Sequence, residues 1–124
     1  MIYPVVRLSL TAVDLPNLET VGISDPFYEV WGYDLLGADT LLYTSEVVPN
    51  EVEFVKWKPA VFAVSKSTIF NKFKIVIYDK EMFQKDRILA GPIDVSMNKL
   101  LKRKKSICLG VGKAFLNVNG FERL

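Results

Sequence analysis

Apolar and polar residues alternate along most of this chain, which is the two-residue period of a β-strand. In the first such segment, apolar side chains at positions 6, 8, 10 and 12 alternate with polar side chains at positions 7, 9 and 11. The clearest segment comes later, where Phe73, Ile75 and Ile77 share one face and residues 72, 74 and 76 share the other. Because successive side chains of a strand point to opposite faces, both segments predict half-buried strands.

Turn-forming residues separate these segments from further predicted strands. The other strands are expected over residues 27–32, 40–48, 60–64 and 87–93, with one or two more within 106–118. Residues 34–39 are typical of a hairpin loop, and residues 65–71 are predicted as a loop or a single turn. Gly91-Pro92 predicts an edge or a bulge, and Ser96 predicts the cap of a short helix over 97–101. The pattern predicts an all-β fold, an eight-stranded antiparallel β-sandwich with at most one short helix.

The length of the chain predicts one domain over residues 1–124, with no repeat or linker to divide it. Half of the residues are hydrophobic and 24% are charged, which is the balance of a folded domain. Such a domain is also compatible with excision from a longer protein. No apolar run reaches the roughly 18 residues of a membrane span, and no signal peptide is expected from residues 1–4. Any membrane contact is therefore expected to be peripheral.

The residues that the chain lacks exclude several functions. It has no histidine, so a Ser-His-Asp or Cys-His relay and a histidine metal site are excluded. Its one cysteine, Cys108, cannot form a disulfide within the chain, and a cytoplasmic location is expected. The net charge of +2 is too balanced to indicate nucleic acid. The chain carries no nucleotide-binding or hydrolase motif and is predicted not to be an enzyme, although Asp79 and Glu81 are a pair that could do acid–base chemistry.

Acidic residues concentrate in two loops. Glu19 and Asp25 belong to the first loop, whereas Asp79, Glu81 and Asp86 surround the later one. A hard divalent cation such as Ca²⁺ takes six to eight oxygen ligands, several of them carboxylates from flexible loops. These residues are therefore candidate metal ligands, and the alternative is that they only form turns.

The same two loops carry apolar residues at their expected tips. Val21 and Ile23 flank Gly22, and Met82 and Phe83 lie between Glu81 and Gln84. An apolar tip either folds back into the core or enters a partner. Two neighbouring tips of this kind favour insertion into a membrane or a protein partner.

Basic residues form two further candidate surfaces. Lys102, Arg103, Lys104 and Lys105 are consecutive, and Lys72 and Lys74 share one face of a strand. Cations near an anionic membrane contribute about 1 kcal/mol each. These residues are candidate ligands of acidic lipid, and the alternative is a solvated surface.

Several segments of the sequence resemble C2 domains. Residues 15–19 followed by Ser24-Asp25-Pro26-Phe27 are similar to the first calcium loop of that family, in which an acidic ligand precedes the aspartate by six positions, as Glu19 does here. Residues 77–81, Ile-Tyr-Asp-Lys-Glu, are similar to the start of its third calcium loop, and residues 44–48 to the strand between them. Within the family, Trp57-Lys58-Pro59, the Lys-Lys-Ser run at 104–106 and residues 112–118 resemble copine C2 domains.

The resemblance implies an eight-stranded sandwich whose loops bind calcium and then an acidic phospholipid membrane. Glu19 and Glu81 stand where the family usually has aspartate, and Asp86 comes one residue early when counted from Asp79. We therefore expect a peripheral membrane-targeting module that is calcium-assisted or has a weakened calcium dependence. The alternative is a calcium-independent scaffold for a protein partner that has lost the metal site.

Overall fold

A computed structural model describes residues 4–34, 39–64, 68–96, 99 and 105–124 of the chain, with the side chains of 34 and 68–71 excepted. The described residues form nine strands: β1 (Val5–Val13), β2 (Pro26–Asp34), β3 (Thr40–Thr44), β4 (Phe54–Lys56), β5 (Ala60–Ala63), β6 (Thr68–Asp79), β7 (Arg87–Ser96), β8 (Lys105–Cys108) and β9 (Phe115–Arg123). They pair into two antiparallel sheets.

The five-stranded sheet follows the order β4-β1-β9-β8, with β5 also paired to β1, and the four-stranded sheet follows the order β3-β2-β6-β7. Both β4 and β5 pair with β1, at Val13↔Phe54 and at Leu8↔Ala60, and residues 57–59 separate them. Strand β5 corresponds to the strand predicted over 60–64, whereas β4 was not predicted. The predicted antiparallel β-sandwich is confirmed.

The core lies between the inner faces of the two sheets. The apolar positions of β1 at 6, 8, 10 and 12 are buried, as are Phe73, Ile75 and Ile77 of β6. Aromatic rings continue this core, since Trp57 packs edge-on against Tyr28 with ring centroids 4.9 Å apart. The period-two pattern therefore identifies the buried face of both strands.

Some predicted boundaries differ from the structure. Strand β6 begins at Thr68, so the predicted loop over 65–71 is wrong from that residue onward. Strand β3 ends at Thr44, four residues before the predicted end, although the chain stays beside β2: Ser45 N donates to Tyr28 O over 2.8 Å and Val48 N to Pro26 O over 2.9 Å. The predicted helix over 97–101, apart from Lys99, and residues 35–38 of the predicted hairpin loop lie outside the described residues.

The prediction for Gly91-Pro92 is confirmed. Strand β7 is the edge of its sheet, and its register with β6 shifts between Ile75 and Ile77, opposite these two residues. Within the part of the chain that the structure describes, no helix is long and apolar enough to cross a membrane.

Candidate functional site

Three loops meet at one end of the sandwich: loop 1 (residues 14–25), loop 2 (45–53) and loop 3 (80–86). Backbone hydrogen bonds join them. Leu15 N donates to Val52 O over 2.9 Å, and Lys80 N donates to Asp25 O over 3.0 Å. These main-chain bonds link loop 1 to loop 2 and to the start of loop 3.

Asp79, the last residue of β6, holds the end of loop 1 through hydrogen bonds from Ser24 and Asp25. Its side chain is fully buried. One carboxylate oxygen accepts a hydrogen bond from the Ser24 hydroxyl over 2.8 Å, and the other accepts one from Asp25 N over 2.9 Å. The Ser24 oxygen in turn accepts from Leu18 N over 2.9 Å. Asp79 is therefore first a structural acceptor, because a buried carboxylate needs such donors.

Three of the five predicted metal ligands converge. One carboxylate oxygen from each of Glu19, Asp79 and Glu81 lies within 4.8 Å of the other two. A hydrogen bond with Asp79, then loss of hydration and the negative charges of Asp79 and Glu81, raise the pKa of Glu19. The three carboxylates thus form one electrostatic unit between loops 1 and 3.

Arg87, the first residue of β7, contacts all three carboxylates. Its Nε donates to Glu81 Oε1 over 2.8 Å, and one terminal nitrogen lies 3.6 Å from Glu19 Oε1 and 3.8 Å from Asp79 Oδ2. The same nitrogen donates to Leu18 O over 3.1 Å. The hydrogen bond to Glu81 is the main cause that raises the pKa of Arg87. The guanidinium is therefore a fixed cation within the cluster.

The sequence reasoning missed Arg87, although a signal was present. Asp79 and Arg87 are directly opposite each other in the β6–β7 hairpin. An arginine that follows an acidic loop at the position opposite its first carboxylate is placed to contact that loop.

The carboxylates of the other two predicted ligands, Asp25 and Asp86, bind other groups. Asp25 Oδ1 accepts a hydrogen bond from Asn50 N of loop 2 over 2.8 Å. Asp86 Oδ1 accepts from Glu81 N over 2.7 Å, and its Oδ2 lies 3.4 Å from Lys80 Nζ. Calcium takes six to eight oxygen ligands, and the three carboxylates that converge here all lie within ion-pair distance of Arg87. Arg87 therefore already pairs with oxygens that a calcium ion would need.

The predicted apolar tips are exposed. Val21 is 90% exposed, Met82 85% and Phe83 94%, while Ile23 is 42% exposed. The four residues lie around one groove of about 630 Å³ between loops 1 and 3, which Glu19, Asp25 and Glu81 also line. The tips thus do not fold back into the core, and they lie directly beside the carboxylate cluster.

The predicted basic residues lie elsewhere. Lys74 is paired with Asp39 and lies 6.0 Å from the ring centroid of Trp31. Lys72 and Lys105 line a second groove, of about 560 Å³, together with Tyr33 and Asp94. The hydroxyl of Tyr33 donates a hydrogen bond to Asp94, which raises the pKa of Tyr33 to about 12. Lys102, Arg103 and Lys104 lie outside the described residues.

Solved structures similar to this one define its class. A domain described as BON1-C2B is similar at 20% identity and a TM-score of 0.74, over 98% of this chain and 92% of that one. A C2 domain of plant extended synaptotagmin 1 is similar at 15% identity and a TM-score of 0.67, over 99% and 96% of the two chains. The chain therefore has the C2 fold.

A third similar structure is human GIVD cytosolic phospholipase A2, at 16% identity and a TM-score of 0.71. The likeness covers 98% of this chain but only 16% of the phospholipase, so it concerns a small part of that enzyme. No family model and no curated protein matches the sequence. The comparisons thus identify the fold at low identity, and the copine resemblance remains a prediction.

Proposed function

We propose that this chain is a peripheral membrane-binding module that contacts acidic phospholipid through the tips of loops 1 and 3, with a weakened calcium dependence. The observation that carries the proposal is the exposure of Val21, Met82 and Phe83 on two adjacent loops. Complete burial of an apolar side chain of this size is favourable by about 1.5–3 kcal/mol. Three such side chains together contribute about 4.5–9 kcal/mol, which is comparable to the cost of association.

The electrostatics of the loops are consistent with a weakened role for calcium. In C2 domains that resemble this chain, the cation is expected to bridge loop carboxylates and lipid phosphate. Here Arg87 already supplies one positive charge to the cluster, and Lys80 and Lys85 are exposed on loop 3. These cations reduce the repulsion between the loop carboxylates and an anionic surface, which lessens the need for a metal.

The proposal is tested by sedimentation of the protein with vesicles of phosphatidylcholine with and without phosphatidylserine, in calcium or in chelator. We expect the wild-type protein to sediment with the acidic vesicles in both conditions. Phe83→Asp places a charge at the inserted tip, so its affinity for these vesicles should fall at least tenfold, or about 1.4 kcal/mol.

Leu124→Asp is the matched control, because Leu124 is 55% exposed and lies beside Val5 at the start of β1, far from the loops. It makes the same chemical change and should sediment like the wild type. Equal sedimentation of Phe83→Asp and wild type would reject insertion through loop 3.

A second candidate function is a scaffold that binds a protein partner. An apolar row crosses the solvent face of the five-stranded sheet, from Phe54 through Val13 and Phe115 to Cys108. Phe54 is 54% exposed and Phe115 40% exposed, and a contiguous exposed row of this kind favours a partner surface. Absence of wild-type sedimentation under every lipid condition would favour the scaffold over the membrane module.

We also propose the finer assignments within this function. The module is non-catalytic, copine-like and cytoplasmic, and it is one domain over residues 1–124. The copine likeness rests on the sequence motif Trp57-Lys58-Pro59. In the structure Trp57 is buried, and its ring nitrogen donates to Pro26 O at the start of β2 over 3.4 Å. The motif therefore fixes the strand that follows loop 1.

A further inference from the structure

The position of Arg87 is set by the strands rather than by the loops. It is the first residue of β7 and is directly opposite Asp79 of β6. From this position its side chain contacts Glu81 on loop 3, Glu19 on loop 1 and the carbonyl oxygen of Leu18. The paired strands thus hold the guanidinium at the point where the two loops approach each other.

The contacts of Arg87 are those that a bound cation would make. Three carboxylate oxygens within 4.8 Å of one another repel each other unless a positive charge lies among them. Arg87 supplies that charge, and because every nitrogen of a guanidinium is a hydrogen-bond donor, it suits the carboxylates, which only accept. It joins loop 1 to loop 3 through carboxylates on both.

Lysine is not equivalent to arginine at this position. The guanidinium is planar, permanently charged and directs several donors at once, whereas a lysine presents one compact ammonium group. Contacts to Glu81, Glu19 and Leu18 at the same time require the planar fork. The nearby Lys80 instead pairs with Asp86, at 3.4 Å, whereas Arg87 pairs with the three carboxylates of the cluster.

We propose that Arg87 is a built-in cation of the loop site, which holds loops 1 and 3 together without a metal and competes with divalent cations for Glu19, Asp79 and Glu81. A calcium ion reaches these carboxylates only by displacing the guanidinium. This inference concerns the same loops as the proposed function and rests on it for its biological meaning. Its test uses calcium alone, so it can fail while membrane binding stands.

The experiment is a calorimetric titration of the purified protein with calcium chloride, without vesicles. Arg87→Gln removes the charge, and we expect it to bind calcium at least tenfold more tightly than the wild type does. Arg87→Lys keeps a charge but loses the fork, so its affinity should lie between the two. Equal affinity of Arg87→Gln and wild type would overturn the proposal.

Two controls assign the effect to the cluster. Arg7→Gln makes the same charge change in an ion pair with Glu122 on the five-stranded sheet, 2.6 Å between the charged atoms, and should leave calcium affinity unchanged. The double variant Arg87→Gln, Glu19→Gln should lose most of the gained affinity. Should the gain persist in the double variant or appear in Arg7→Gln, the competition is not at this cluster and the proposal is wrong.

The folded state of the variants is checked by near-ultraviolet circular dichroism before titration. If Arg87→Gln does not fold, Arg87→Lys carries the test, because it retains a positive charge among the carboxylates. A calcium affinity of Arg87→Lys no higher than that of the wild type would then count against the proposal.

Discussion

Ser24 is the residue on which the geometry of loop 1 most depends. It is fully buried, its hydroxyl donates to the Asp79 carboxylate over 2.8 Å, and its oxygen accepts from Leu18 N over 2.9 Å. Removing that oxygen leaves a buried carboxylate and a backbone N–H without their partner. The serine of the Ser-Asp-Pro motif is therefore needed to hold loop 1 in place through these two hydrogen bonds.

We expect Ser24→Ala to lower the free energy of unfolding by about 2 kcal/mol, since hydrogen bonds to charged groups contribute about 1.5–3 kcal/mol. Urea unfolding followed by tryptophan fluorescence measures the change. Ser106→Ala removes an exposed hydroxyl that bonds Asn117 over 2.9 Å and should change stability by less than about 0.5 kcal/mol. Similar losses in the two variants would contradict the anchoring role of Ser24.

At the scale of single elements, β7 depends on Gly91. This residue has φ of +103°, and a Cβ at its position would approach Ile75 O to 2.7 Å. Alanine is strained at such a φ, and the backbone carbonyl of β6 cannot give way without breaking the sheet. The bulge that the sequence predicted at this position therefore needs glycine for two separate reasons.

The variant Gly91→Ala should lose about 2–3 kcal/mol of unfolding free energy. Gly110→Ala is the comparison, since Gly110 has φ of +71° but open space around a Cβ, and about 1 kcal/mol is expected there. Both are measured by urea unfolding. If Gly91→Ala loses no more unfolding free energy than Gly110→Ala, the close approach of the new Cβ to Ile75 O does not destabilise the fold, and this prediction is wrong.

The strands also show which parts of the fold could be predicted from the sequence. Alternation identified β1 and the buried face of β6 because each is long enough for the period to repeat. Strand β4, at Phe54–Lys56, has three residues and no repeat to detect. The sequence named Glu19, Asp79 and Glu81 among five candidate ligands, but it could not show that these three converge while the Asp25 carboxylate accepts a hydrogen bond from Asn50 N of loop 2. Contacts between distant loops are not encoded in any local pattern.

At the scale of the whole molecule, the apolar tips and the basic strand face are far apart. Lys72 precedes Asp79 by seven residues along β6, which is roughly 23 Å at the rise of a strand. Lys85, in contrast, is exposed on loop 3, two residues after Phe83. A membrane that contacts the tips of loops 1 and 3 is therefore close to Lys85 and distant from Lys72.

This geometry predicts different effects for two identical charge changes. At physiological ionic strength the Debye length is about 8 Å, so a membrane held at the loop tips exerts little force on Lys72. Lys85→Gln should weaken sedimentation with phosphatidylserine vesicles about fivefold, the value of one charge near an anionic surface. Lys72→Gln should change it less than about twofold. If instead Lys72→Gln has the larger effect, the domain lies on its four-stranded sheet, and the basic face rather than the loop tips makes the main contact with lipid.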